Sequence, residues 1–129
     1  MGFFYDCDDV GQRWRLVGSR TGLREFPRLL RIYSSNPRNA TASEHDHYGP
    51  YMYLKVMTWP DAGIDETSIH GTTDDLQRLA EIVDAALEQA APGDAIAVAE
   101  RFAPGSEYEL VLEIKAEDFD PAEADPCLR

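Results

Sequence analysis

The segment Thr72 to Ala91, TTDDLQRLAEIVDAALEQAA, limits what this chain can become more than any other part of it. Leu76, Leu79, Ala80, Val83, Ala86, Leu87 and Ala90 recur at the three-and-four spacing of a single helical face. Asp75, Gln77, Arg78, Glu81, Asp84 and Glu88 mostly take the other side. Thr72 and Thr73 are candidate N-caps, and Asp74 and Asp75 suit the positive end of the helix dipole. Pro92-Gly93 is a stop signal. The pattern predicts one long helix over about residues 73–91, and its apolar stripe needs a partner surface.

Strand-like segments on both sides supply one. Tyr51 to Trp59 (YMYLKVMTW) alternates, with Met52, Leu54 and Val56 on one side and Tyr51, Tyr53, Lys55, Met57 and Trp59 on the other. Pro60-Asp61-Ala62-Gly63 is a turn, which makes Ile64 to His70 the second strand of a hairpin. After the helix, Ala95 to Phe102 and Glu107 to Ala116 read as two more strands, the last with Tyr108, Leu110, Leu112 and Ile114 inward. Phe3–Asp6 and Arg13–Gly18 read as short strands. Leu23 to Ser35 is ambiguous. Leu23, Phe26, Leu30 and Tyr33 suit a helix, but Pro27 weighs against one, and a strand over Arg28–Ser34 is preferred. Asn36 to Gly49 is a polar loop without period, and one helical turn is expected after Pro121, beyond which the tail should fray. Short connections favour antiparallel pairing. The expected fold is a single α+β domain over residues 1–129. It is a two-layer sandwich with a mainly antiparallel sheet of about five or six strands and one helix on one face.

The 129 residues carry a net charge of −12, unevenly spread. Residues 1–38 hold seven Arg against Asp6, Asp8, Asp9 and Glu25, so 7 − 4 gives +3. The remaining 91 residues hold five basic and twenty acidic side chains, giving −15. Such a body repels phosphate backbones, so nucleic acid is not an expected partner. It attracts basic proteins, although solubility alone would also account for the acid. No apolar run approaches the ~20 residues of a membrane span, and no signal peptide is legible, so a cytoplasmic setting with no membrane partner is expected. Cys7 and Cys127 form no CxxC pair and read as free thiols.

No constellation rises to a catalytic motif, and no catalytic residue or cofactor is assigned. Glu44-His45-Asp46-His47 offers ligand-type side chains, but zinc needs three or four converging donors, and only His70 remains as a further imidazole. His45 and His47 are therefore weak metal candidates, and no metal is assigned. Glu66, Ser68 and His70 alternate, yet a Ser–His hydrogen bond along one strand is awkward when side chains two apart are ~6.5–7 Å apart at their roots. Glu109 and Glu113 are too far apart on a strand for a retaining glycosidase pair.

The aromatic row Tyr51, Tyr53, Met57 and Trp59, with Glu66 and His70, is the candidate binding surface. Exposed Tyr, Trp and Met mark contact surfaces. The row could equally be covered by residues 1–35 or by a second copy of the chain.

The stretch Ser68-Ile69-His70-Gly71-Thr72-Thr73-Asp74-Asp75-Leu76-Gln77-Arg78-Leu79-Ala80, followed by the regular strand Tyr108 to Ile114, resembles small α+β immunity proteins of bacterial polymorphic-toxin systems. The resemblance covers roughly residues 50–120 and carries no functional residue across. It implies a non-catalytic protein that neutralises a toxin through an acidic and aromatic surface. The alternatives are a small enzyme or metal-dependent protein built on His45, His47 and His70, and a homodimeric domain.

Overall fold

A computed structural model describes residues 1–128, which leaves Arg129, the end of the tail expected to fray, outside the description. The long helix forms as α3, Thr73–Glu88, beneath a reciprocal cap. The Asp75 amide donates to Thr72 Oγ1 at 3.1 Å, and the Thr72 amide donates to Asp75 Oδ2 at 3.0 Å. The helix ends at Glu88, short of the expected Ala91, because Pro92 disfavours helical backbone at the residue before it. Leu76, Leu79, Val83 and Leu87 are fully buried, as the stripe requires.

A second helix departs from the strand expected at Arg28–Ser34. α1 (Arg20–Leu23) runs almost directly into α2 (Glu25–Ser35), and Phe26, Leu30 and Tyr33 form the buried face of α2. Pro27 is no obstacle, since it stands in the first turn, where its missing N–H has no intrahelical partner to lose. α2 packs along α3. Tyr33 then ties α2 to the strands beyond, its hydroxyl lying 2.7 Å from both the Glu44 carbonyl and Thr58 Oγ1.

The strands form two mixed sheets of four, where one antiparallel sheet of five or six was expected. The first runs β1 (Phe4–Asp8), β2 (Arg13–Ser19), β8 (Glu109–Lys115), β7 (Ala95–Ala97). The second runs β3 (His45–Tyr48), β4 (Leu54–Thr58), β6 (Ile69–Gly71), β5 (Gly63–Ile64). In each sheet two antiparallel pairs meet along a parallel seam, β2 on β8 and β4 on β6. The expected hairpin of residues 51–59 with 64–70 is thus wrong. The chain turns back a first time at β5, which pairs antiparallel with β6, and so brings β6 alongside β4 in the same direction.

Three further elements differ from the expected pattern. The loop expected over Asn36–Gly49 contains a short 3₁₀ turn, Pro37–Ala40, and then β3, which pairs Asp46 with Val56. The strand expected over Tyr51–Trp59 begins only at Leu54, so Met52 does not share the inward face of Leu54 and Val56. The strand expected over Ala95–Phe102 breaks after Ala97 into the single turn α4 (Ala99–Phe102), which buries Val98, Ala99 and Phe102. β8 is as expected, with Tyr108, Leu110, Leu112 and Ile114 buried. The 3₁₀ turn Pro121–Ala124 falls where a helical turn was expected, and a second one follows at Pro126–Leu128.

One apolar core joins α2, α3 and the inner faces of both sheets, and Leu79 sits in it with no exposed surface. Leu79→Ala is expected to cost about 2–5 kcal/mol in urea unfolding. A loss under about 1 kcal/mol would mean that α3 presents a different face to the core.

Candidate functional site

The site is built around β1, whose Phe4-Tyr5 alternation sends Tyr5 inward beside Trp14, with ring centroids 6.4 Å apart. Both aromatics reach across to turns of the other sheet. The Trp14 indole Nε1 donates to the Asp65 carbonyl at 2.8 Å. The Tyr5 hydroxyl donates to the Tyr48 carbonyl at 2.8 Å and accepts from the Tyr53 amide at 3.0 Å. These bonds span the turn between β3 and β4 at its two ends. Gly49 lies against the Tyr5 ring with φ +89°, and any Cβ there would stand 2.3 Å from a ring carbon. Only glycine meets both demands.

Pinned in this way, the turn holds an aromatic tip in the open. Tyr51, Met52 and Tyr53 are 39%, 56% and 70% exposed, and the rings of Tyr51 and Tyr53 stack with centroids 6.1 Å apart. Met52 is in the left-handed region, at φ +57°, where an unbranched side chain carries a real backbone cost. The Tyr51 hydroxyl donates to Asp125 Oδ2 at 2.8 Å, which raises the tyrosine's pKa to about 12. That bond fastens the carboxy-terminal tail to the tip.

Between tip, tail and β1 runs a groove of about 620 Å³. Tyr51, Met52 and Tyr53 form one lip, Phe4 to Cys7 a wall, and Glu66 and Thr67 one end. Asp6, Asp9, Glu66 and Asp125 line it, and so does Lys55, the one Lys or Arg of its lining among the described residues. Among the described residues Asp9, Glu66 and Asp125 form no ion pair. Asp6 is bound by Arg15 at 2.6 Å, and Arg15 also grips Glu113 at 2.6 Å. The Arg15 hydrogen bond holds the Glu113 carboxyl below its ordinary value, whereas burial pushes Asp6 up despite the same guanidinium. Cys7 and Cys127 are unbridged and both open on to the groove. Burial and the hydrogen bond to Asp9 raise the Cys7 thiol to about 12, which keeps it protonated and a poor nucleophile.

The candidate binding residues divide. Tyr51, Tyr53 and Glu66 meet at the groove. Met57 and His70 are cross-strand neighbours further along the outer face of the second sheet, and Trp59, 42% exposed, follows the end of β4. Residues 1–35 do not cover the tip. They build β1 and β2 and the helices α1 and α2 instead.

His45 and His47 pack edge to face at 5.2 Å. His45 is paired with Met57, which is paired in turn with His70, so the third imidazole stands two strands away, roughly 10 Å off. Among the described residues no three His, Cys, Asp or Glu side chains gather closely enough to hold a metal ion.

The Ser68–His70 hydrogen bond, argued above to be awkward, is made at 2.8 Å. Ser68 precedes β6 and lies in a turn whose amides, Thr67 and Ser68, donate to Asp65 Oδ1, so strand spacing does not apply to it. Asp65, in place of the Glu66 that alternation suggests, is the carboxylate beside His70, and the three groups lack the arrangement of a nucleophilic triad. Ser68 Oγ and Asp65 Oδ2, the latter at 4.0 Å, both address His70 Nδ1, whereas a triad uses one ring nitrogen for each. Ser68 is also fully buried.

The groove's other walls, Phe4, Tyr5, Asp6, Trp14, Asp125 and Cys127, were not anticipated as site residues. They come from the two ends of the chain, which the pairing of β2 with β8 and the Tyr51–Asp125 bond bring together. Compared with models of known protein families, with curated proteins and with solved structures, the chain matches none of them.

Tyr5→Phe tests how the tip is held. Removing the hydroxyl strands the Tyr53 amide and takes one donor from the Tyr48 carbonyl, with an expected loss of about 1–3 kcal/mol in urea unfolding. An unchanged midpoint would mean that the turn is held by something else.

Proposed function

We propose that this chain is a non-catalytic binding protein for a basic protein partner, acting in the manner of the immunity proteins that its central segment resembles. The observation that carries this reading is the aromatic tip. Tyr51, Met52 and Tyr53 are held in the open on a strained turn, at the mouth of an acid-faced groove. Exposing Met52 and Tyr53 on a turn with left-handed backbone at Met52 costs the fold stability, and outliers of this kind cluster where a surface is used. Tyrosine brings large contact area with little side-chain freedom to lose, and its ring face attracts cations.

Charge supports the same partner. The arginines of the amino-terminal third are largely engaged within the molecule, in the pairs Arg13–Asp8, Arg15–Asp6, Arg31–Asp84 and Arg38–Glu44. The acidic surplus therefore faces outward. A basic side chain entering the groove would meet tyrosine faces along its stem and carboxylates at its head.

Titration calorimetry against the purified product of the adjacent gene tests the reading. Tyr53→Ala is expected to weaken binding by about 2 kcal/mol, or roughly 30-fold, with folding intact. Glu66→Lys, at an exposed turn, is expected to slow association and reduce its dependence on salt. Binding that neither substitution alters would remove the groove and tip from function.

A further inference from the structure

β1 is an edge strand. The order of its sheet places β2 on one side of it and nothing on the other. It pairs with β2 along its whole length, from Phe4 opposite Val17 to Asp8 opposite Arg13. Among the described residues no backbone group of Phe4–Asp8 bonds to any element but β2. In an antiparallel pair every second residue turns its N–H and C=O away from the partner. β1 therefore offers a row of unused donors and acceptors on its far side.

That far side is the groove. Phe4, Tyr5, Asp6 and Cys7 line it in unbroken succession. Successive side chains of a strand point to opposite faces of the sheet. A cavity lying over one face would collect alternate residues, so a consecutive run places this cavity beside the strand. Of the usual guards of an exposed edge, FYDCD has no proline, no lysine and no bulge against β2, and keeps only the charges of Asp6 and Asp8.

Resting on the binding function proposed above, we infer that the free edge of β1 receives an extended basic segment of the partner protein as an added strand. Backbone hydrogen bonds would supply its grip, and the groove would sort its side chains. Charge decides between this occupant and a second copy of the chain. The antiparallel register that pairs all five residues of two β1 strands sets Asp6 opposite Asp6, and like charges directly opposite are destabilising. A strand carrying Arg or Lys at alternate positions meets the exposed carboxylates of Asp9 and Glu66 at the groove. The exposed tyrosines of the tip then close over its other side.

The test uses the intact protein, labelled with ¹⁵N, and an acetylated, amidated (Arg-Val)₄ peptide. Its control is a peptoid with the same side-chain order, which keeps the charge and has no backbone N–H. The peptide is expected to shift the Tyr51 and Tyr53 resonances and to slow amide exchange at the outward amides of β1 by tenfold or more. The peptoid is expected to shift the tyrosines and leave exchange at β1 unchanged. If both ligands shift the tyrosines and neither slows exchange at β1, or both slow it equally, strand addition is wrong while a cation-binding groove stands. If neither ligand moves the tyrosines or β1, the inference and the proposed function fall together.

Discussion

The Tyr5 hydroxyl is the smallest part on which the site depends. It donates to Tyr48 and accepts from Tyr53, so one oxygen satisfies a carbonyl and an amide at opposite ends of the same turn. Tyr48 closes β3 opposite Leu54, which opens β4, so the two groups flank the turn where the ladder stops. The ring behind the hydroxyl needs the bare backbone of Gly49, whose positive φ helps to start the turn that ends with Met52. The exposed tyrosines thus depend on a buried one contributed by the other sheet. Trp14 makes an equivalent reach to Asp65, at the end of the groove where Glu66 and Thr67 lie. The two aromatics position both ends of the cavity from one sheet.

Electrostatics acts on the same strand from outside. Arg15 joins β1 to β8 through Asp6 and Glu113, across the outer face of the first sheet. The pairs are partly exposed, and such bridges contribute little stability individually. Their larger effect is on what remains. With Asp6 held by Arg15, Asp9 and Glu66 are the exposed carboxylates of the groove among the described residues, and they favour a cationic guest. The Tyr51–Asp125 bond sits at the boundary with a neighbouring hollow lined by Phe3, Pro50 and Pro121. The amino-terminal strand, the central turn and the tail are thereby joined at one place.

Elements whose burial follows a simple period were legible in the sequence. α3 declares its cap and its face, and β8 its inward residues. The sequence pattern hides α2, because Pro27 weighs against a helix unless it stands in the first turn, as it does here. The parallel seams were not legible, since they depend on two-residue β5 turning the chain once more before β6. Of the groove's lining, Tyr51 and Tyr53 are named by an alternation that does not reach them, since β4 begins only at Leu54. The wall that faces them is not legible, because Phe4 to Cys7 and Asp125 to Cys127 carry no local sign of where the fold will bring them. Met52 shows the limit of alternation most plainly. It reads as an inward strand residue, and it stands 56% exposed on left-handed backbone because the turn held by Tyr5 reaches one residue past it.

Hydrogen exchange at a single amide addresses the central claim most directly. The Tyr53 N–H belongs to an exposed residue in a turn, and its one acceptor is the Tyr5 hydroxyl. It is expected to exchange as slowly as the amides of β4, with protection that disappears when the hydroxyl is removed. Exchange at the rate of an open loop in the unaltered protein would contradict the clamp, and with it the reason for reading the tip as a built surface.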